Sequence, residues 1–302
     1  MFKEQSLQNR IVMKQQLSIL FFFISMMSLA QSEFLTGTWQ GVKVNLGQTN
    51  SKGKAIWFNF EIDEETKEVT GEARVETPFS EYYALKKIKG KLISKYVLDF
   101  EDVILGNNKN SGRAYWCLIN GKLEYNEETG YLTGEYQSNT CRTSVGKITL
   151  YRSTHNMSKT DTVSLYHSWY NNMCNDLKRG WKAYYVRDAE MRSFEFIPIH
   201  FDHDKDELKP EFHEFLKNMV KIVQSHSDLR IKIIGHTDSN GSDQYNVGLS
   251  QRRADRIKNH LLSLGIKSDQ VVIEFRGEKD PKVSNATAGG KRLNRRVDFE
   301  FI

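Results

Sequence analysis

The chain of 302 residues has only three cysteines, Cys117, Cys141 and Cys174. None sits in a C-x-x-C pair or at a Cys/His ligand spacing, so no zinc centre is expected. An odd count leaves at least one thiol free or paired between chains. No block of Lys and Arg is present; the formal charge is +5, and acids are interspersed with bases throughout. Nucleic acid is therefore a poor partner. His200 and His203 are separated by an odd step, which puts them on opposite faces of a regular strand, where they cannot share a metal. No Ser/His/Asp or Cys/His grouping has the motif context of nucleophilic catalysis. The paired acids Glu64-Glu65 and Glu127-Glu128 fall in turns, where charge is expected. These absences read as a non-enzymatic protein without cofactor or metal.

Long apolar runs are also scarce. The one that stands out, Leu17–Met27, follows Lys3, Arg10 and Lys14 and precedes Ser28-Leu29-Ala30. Charge, apolar run and small residues in that order predict a secretory signal peptide over residues 1–30. The run is too short for a spanning anchor. Met13-Lys14 makes a more typical start than Met1. Gln31, and not the cysteine a lipoprotein would need, directly follows the cleavage point, so the mature chain is expected to be exported and soluble from about Gln31. Export permits a disulfide.

Residues 31–152 read as an all-β domain. Ile56, Phe58, Phe60 and Ile62 alternate with Trp57, Asn59 and Glu61, the period of a half-buried strand. Seven further short runs, punctuated by turn clusters such as Gly106–Gly112, predict an antiparallel barrel or sandwich. The segments 60–73 (FEIDEETKEVTGEA) and 123–136 (LEYNEETGYLTGEY) align without gaps. The simpler reading is two hairpins with the same turn chemistry; an old duplication within a meander is the alternative. Cys117 and Cys141 flank the second hairpin almost symmetrically, so antiparallel pairing predicts a Cys117–Cys141 disulfide and an unpaired Cys174.

Residues 153–190 form a linker and bridging helix. The linker itself is STHNMSKTDT at 153–162, and Leu165, Trp169, Met173 and Leu177 place a helix over 163–180. Residues 191–302 then alternate β and α. A strand-like FEFIPIHFD precedes a helix begun near Pro210, with Phe212, Phe215, Leu216, Met219, Val220 and Val223 as its apolar stripe. Strand Leu229–Ile234, helix Asn246–Leu264 with Gly265 as its stop, strand Gln270–Phe275 and closing strand Arg295–Ile302 follow. This order implies a mixed sheet with helices packed on it, an α+β domain.

The densest feature is GHTDSNGSDQYNVGLSQRRADRI at 235–257. It sets an acid, Asp238, in a glycine-rich loop and a guanidinium, Arg253, on the helix after it. Such a pair can receive the head of an amino acid, which carries an ammonium and a carboxylate. Together with FDHDKDELKPE at 201–211, GEKDP at 277–281 and GGKRLNRRVDF at 289–299, this segment strongly resembles the OmpA-like peptidoglycan-binding domain. The resemblance covers roughly residues 194–302. It departs at Lys291, where the family often has Arg, a position read as peripheral.

The resemblance implies a βαβαβ-β fold. It implies that Asp238 takes the ammonium, and Arg253 the carboxylate, of meso-diaminopimelate in the peptide stem. Thr237 and Asn246 fall on pocket-lining positions, and Asp204 falls at the pocket mouth. Arg252 is expected to be solvated, and Arg295 and Arg296 to brace the sheet end and nearby acids. The expected protein binds peptidoglycan non-covalently in the periplasm, associated with the cell wall or outer membrane, and positions its β-domain there, with outer-membrane or envelope proteins as partners. The β-domain opens on Gly37-Thr38-Trp39, weakly similar to the G-x-W start of lipocalin-like barrels. That similarity keeps open a small-molecule carrier moored to the wall; a wall-tethered enzyme is a third reading.

Overall fold

The computed structural model describes residues 34–302 apart from 111–115, 143, 158 and 160–167. The signal peptide expected over residues 1–30 lies outside the described residues, as does Leu165 of the expected helix. The chain divides into two compact units, with the boundary between Ala183 and Tyr184.

The first unit is a closed antiparallel barrel of eight strands in sequence order. The strands are β1 (Gly37–Asn45), β2 (Lys54–Ile62), β3 (Glu68–Glu76), β4 (Tyr83–Ser94), β5 (Val97–Lys109), β6 (Ile119–Asn126), β7 (Tyr131–Ser138) and β8 (Val145–Arg152). The barrel closes where β1 pairs β8, from Trp39 opposite Arg152 to Asn45 opposite Gly146. Of the two architectures the alternation allowed, closure selects the barrel, which leaves no free sheet edge. The stretch read as a turn from Gly106 is partly strand: β5 runs on to Lys109, and Asn108 and Lys109 pair Ala84 and Tyr83. Its polar residues face solvent, so their composition resembled a loop.

The two echoing segments are hairpins β2–β3 and β6–β7, and their turns share one chemistry. The Asp63 carboxylate accepts from the backbone of Glu65 and Thr66, and the Asn126 side chain accepts from the Thr129 amide. Each turn closes through a left-handed residue, Lys67 or Gly130. The glycine of each T-G-E is required by close approach. A Cβ on Gly71 or Gly134 would stand 2.0 or 1.8 Å from the carbonyl oxygen of Asn59 or Lys122.

Inward-facing residues fill one half of the barrel. Trp39, Phe58, Phe60, Leu98, Phe100 and Leu123 are at most 2% exposed. Cys117 and Cys141 are joined by a disulfide with Cα atoms 5.6 Å apart, and Cys174 is a free thiol.

Helix α1 (Ser168–Arg179) packs on the outside of the barrel. The Tyr170 hydroxyl donates to the carbonyls of Asn50 and Gly53 at 2.8 and 2.9 Å, and Trp169 meets Trp57 edge-on. The helix thus belongs to the barrel, which its periodic apolar stripe alone does not say, since periodicity does not identify the surface covered. Gly180 ends the helix in a left-handed conformation, with the Trp181 amide returning to the Asp176 carbonyl. The polar stretch from residue 153 also lies against the barrel in part: Ser153 donates its amide to Thr38, and Met157 is buried.

The second unit starts earlier than the expected residue 191. Helix α2 (Tyr184–Arg192) belongs to it, because the buried Arg187 donates to the Ser225 carbonyl. The sheet has the order β11-β10-β12-β9, made of β9 (Ile199–His200), β10 (Ile231–Gly235), β11 (Val271–Phe275) and β12 (Arg296–Phe301). β10 pairs β11 in parallel and β12 antiparallel. Helices α3 (His213–Gln224) and α4 (Asp243–Ser263) share a core with it, through Leu216, Met219, Val223, Ile257 and Leu261. The strand expected over FEFIPIHFD contracts to two residues, with Pro198 next to them. Phe194 and Phe196 instead pack as a ring cluster against Phe301. A short helix, α5 (Ala288–Asn294), escaped the sequence reading because two glycines, poor helix formers, open it. Thr287 caps it by accepting the Gly290 amide at 3.0 Å.

Candidate functional site

Strand β10 ends at Gly235, and the next three residues are held from both sides. The His236 amide donates to the Arg296 carbonyl and the Thr237 amide to the Gly277 carbonyl, both at 2.9 Å. This fixes Asp238 at the end of the sheet with its carboxylate almost fully enclosed, at 3% exposure. The loop then turns back through an Asx turn, in which the Asn240 amide donates to Asp238 Oδ1 at 3.1 Å. Gly241 supplies a left-handed φ of 95°. Ser242 caps α4 by accepting the Tyr245 amide.

The buried face of α4 carries Asn246, Leu249, Ser250, Arg253, Ala254, Ile257 and Leu261, the 3.6-residue stripe of a helix on a sheet. Arg253 is the polar end of this stripe and is fully buried. Its guanidinium is fixed by three backbone carbonyls: Nε donates to Lys205, Nη1 to His236 and Nη2 to Asp202, at 2.9, 3.0 and 3.1 Å. The ring of Phe201 lies beneath it, 5.2 Å away. Burial, and after it the Arg295 cation, lower Arg253 to about 10, with Asp238, Asp206 and Asp204 opposing. It stays charged at neutral pH. Arg252, one residue earlier, is exposed and leans over Tyr245.

Asp238 and Arg253 do not bond each other directly. The cation on Asp238 is Arg295, whose Nη1 donates to Oδ2 at 2.9 Å while its Nε donates to the Phe201 carbonyl at 3.1 Å. Arg295 thus ties the start of the domain to the acid in the loop. The doublet Arg295-Arg296 gave no sign of which arginine does this; β12 settles it by register, and Arg296 bonds Asp298 instead. The exposed His203 approaches the same carboxylate at 3.8 Å, so the site meets solvent on that side.

Thr237 and Asn246 are both buried, and each leaves an oxygen without a partner: Thr237 Oγ1 and Asn246 Oδ1. The Asn246 amide nitrogen donates to Glu278, whose part no local sequence signal marks. Asp204 is exposed, in a left-handed conformation, and accepts the Tyr245 hydroxyl. Tyr245 is a second residue whose part was not foreseen. Lys291, read as peripheral, reaches the loop and donates to Asn240 Oδ1 at 2.6 Å. Among the described residues no cluster of His, Cys, Asp and Glu is arranged to hold a metal, and no helix is long and apolar enough to cross a membrane.

Residues 200–295 match the OmpA family. The chain is 38% identical over 102 residues to outer membrane porin F of Pseudomonas fluorescens, covering 34% of this chain and 31% of that one. It is 35% identical over 102 residues to peptidoglycan-binding protein ArfA of Mycobacterium tuberculosis, covering 34% and 31%. The chain therefore spans about a third of the length of these curated relatives. Among solved structures it is similar to the peptidoglycan-associated lipoprotein of Burkholderia pseudomallei, at 27% identity and a TM-score of 0.34, covering 35% of this chain and 89% of that one.

Proposed function

We propose that the OmpA family domain at residues 200–295 binds peptidoglycan non-covalently and so positions an N-terminal eight-stranded barrel in the cell envelope. The ligand group is the free end of meso-diaminopimelate. The observation that carries this is the unfinished hydrogen bonding around Asp238 and Arg253. A guanidinium has five N–H donors; three of Arg253's go to carbonyls, which leaves one on Nη1 and one on Nη2, the fork that a carboxylate fits. Nearby, Thr237 Oγ1 and Asn246 Oδ1 are buried acceptors without donors, and Asp238 adds a negative charge. Buried acceptors left open cost free energy unless something donates to them, and an ammonium does so.

In this reading Asp238 and the two open oxygens receive the ammonium, Arg253 receives the carboxylate, and Asp204 with Tyr245 forms the rim. Arg295 holds the Asp238 carboxylate in place. The protein has no catalytic part and resides in the periplasm at the wall or outer membrane. The barrel interior holds a packed cluster of buried apolar side chains, among them Trp39, Phe58 and Phe100, which supports a structural or partner-contacting role over an apolar carrier.

Co-sedimentation with purified sacculi tests this. Asp238→Ala should lose most binding and Arg252→Ala should keep it. A lysine-type wall offers the ammonium without the carboxylate and should bind weakly. Equal sedimentation of the Asp238→Ala protein, or equal binding to both wall types, would overturn the assignment.

A further inference from the structure

The other half of the barrel interior has a different composition. In β1 the inward residues continue from Trp39 through Gly41 to Lys43, and in β2 they run back from Phe58 and Ile56 to Lys54. Lys43 and Lys54 are direct cross-strand partners. Like charges placed directly opposite are unfavourable. A third ammonium, Lys86 of β4, enters the same end and donates to Asp102 of β5 and to the Cys117 carbonyl. Lys43, Lys86 and Asp102 are each at least nine-tenths buried.

Asp102 is the carboxylate that Lys86 and Lys43 act on, and it is already committed. Asp102 Oδ2 accepts from Lys86 and from the Ile119 amide, while Oδ1 is buried without a donor. Lys43 and Lys54 have no acidic partner among the described residues. Each ammonium lies over an aromatic ring instead, Lys43 over Tyr136 at 4.2 Å and Lys54 over Trp116 at 4.1 Å. Cation–π contact offsets only part of the desolvation of a buried ammonium. The opposite end of the barrel shows a completed alternative: Arg152 over Trp39 is satisfied by the carbonyls of Thr36 and Phe34.

We propose that this end of the barrel binds a small oxyanion that also carries a hydroxyl, either hydrogen phosphate or a hydroxycarboxylate, with Lys43 and Lys54 taking the charge and Asp102 Oδ1 accepting from the hydroxyl. An anion between the two lysines turns their repulsion into attraction, and the hydroxyl supplies the donor that Asp102 lacks. Burial, then Lys86 and Lys54, lower Lys43 to about 7, opposed by Asp102. The segment carrying Trp116 is pinned beside the site by the Cys117–Cys141 bridge.

The test uses the full oxidised chain at constant ionic strength. Its thermal midpoint is followed against inorganic phosphate, lactate, and acetate, which lacks the hydroxyl. Saturable stabilisation by phosphate or lactate but not acetate is expected, and whichever acts more strongly identifies the source. Lys54→Met should weaken that binding roughly thirty-fold or more, because one of the two cations that take the charge is lost. If the lysines are only structural, Lys54→Met changes the midpoint and leaves the anion response as in wild type, which overturns the proposal. So does the absence of any saturable response in wild type. Should the variant not fold, lysine-selective NMR on wild type decides. Saturating anion should move the Lys43 titration up from about 7 towards the ordinary lysine range; an unmoved titration overturns the proposal.

Discussion

Replacing Arg253 by lysine separates ligand binding from bracing, because it keeps the charge and removes the fork. In the free protein all three guanidinium nitrogens are engaged by carbonyls, so a purely structural role is the rival explanation. Lysine has one nitrogen and cannot serve three carbonyls spread around a plane. Asp202 and Lys205 are exposed, and water can reach their carbonyls; His236 is buried at 1% exposure, and water cannot replace the donor there. The structural cost is then one orphaned buried carbonyl, about 1–3 kcal/mol. Loss of the contact over Phe201 adds about 1 kcal/mol. Against a domain stability of about 5–15 kcal/mol the fold persists. Binding responds differently, since a single ammonium cannot reproduce the two parallel bonds to a carboxylate; a loss of about tenfold or more is expected. Urea unfolding of the Arg253→Lys chain gives the first quantity and sacculus sedimentation the second. A variant destabilised as calculated that still sediments with wild-type affinity would show that Arg253 only braces its carbonyls.

Three further outcomes are expected. Burial, and after it Arg296, hold His236 down at about 4 against an ordinary 6.5. Folding thus favours the neutral ring, and its contribution is intact above pH 6.5 and fades as pH falls towards 4. Urea midpoints between pH 7 and 4 should fall less steeply in His236→Gln, and identical slopes would refute the assignment. Peptide mapping without reductant should find Cys117 linked to Cys141 and Cys174 alkylated, and Cys117→Ser should cost about 3–4 kcal/mol for the loop closed between them. A chain shortened to begin at Tyr184 should fold alone and sediment with sacculi; binding retained only by the barrel unit would reverse the roles of the two halves.

The sequence by itself determined the elements whose signal is local and repeated. Period-two alternation gave eight strands, the echo at 60–73 and 123–136 gave two hairpins, and the stripe from Leu249 to Leu261 gave the helix carrying Arg253. It also brought Asp238, Thr237 and Asn246 to one neighbourhood, because a loop and the helix after it are joined by only a few residues. Tertiary structure alone decided what depends on residues distant in the chain. Closure of β1 on β8 made the sheet a barrel rather than a sandwich. The Trp57 and Asn50 surfaces claimed α1. Arg295, 57 residues from Asp238, became its partner. Cross-strand register set Lys43 against Lys54 inside the barrel. Periodicity fixes which face of an element is apolar; only packing decides which charges meet once that face is covered.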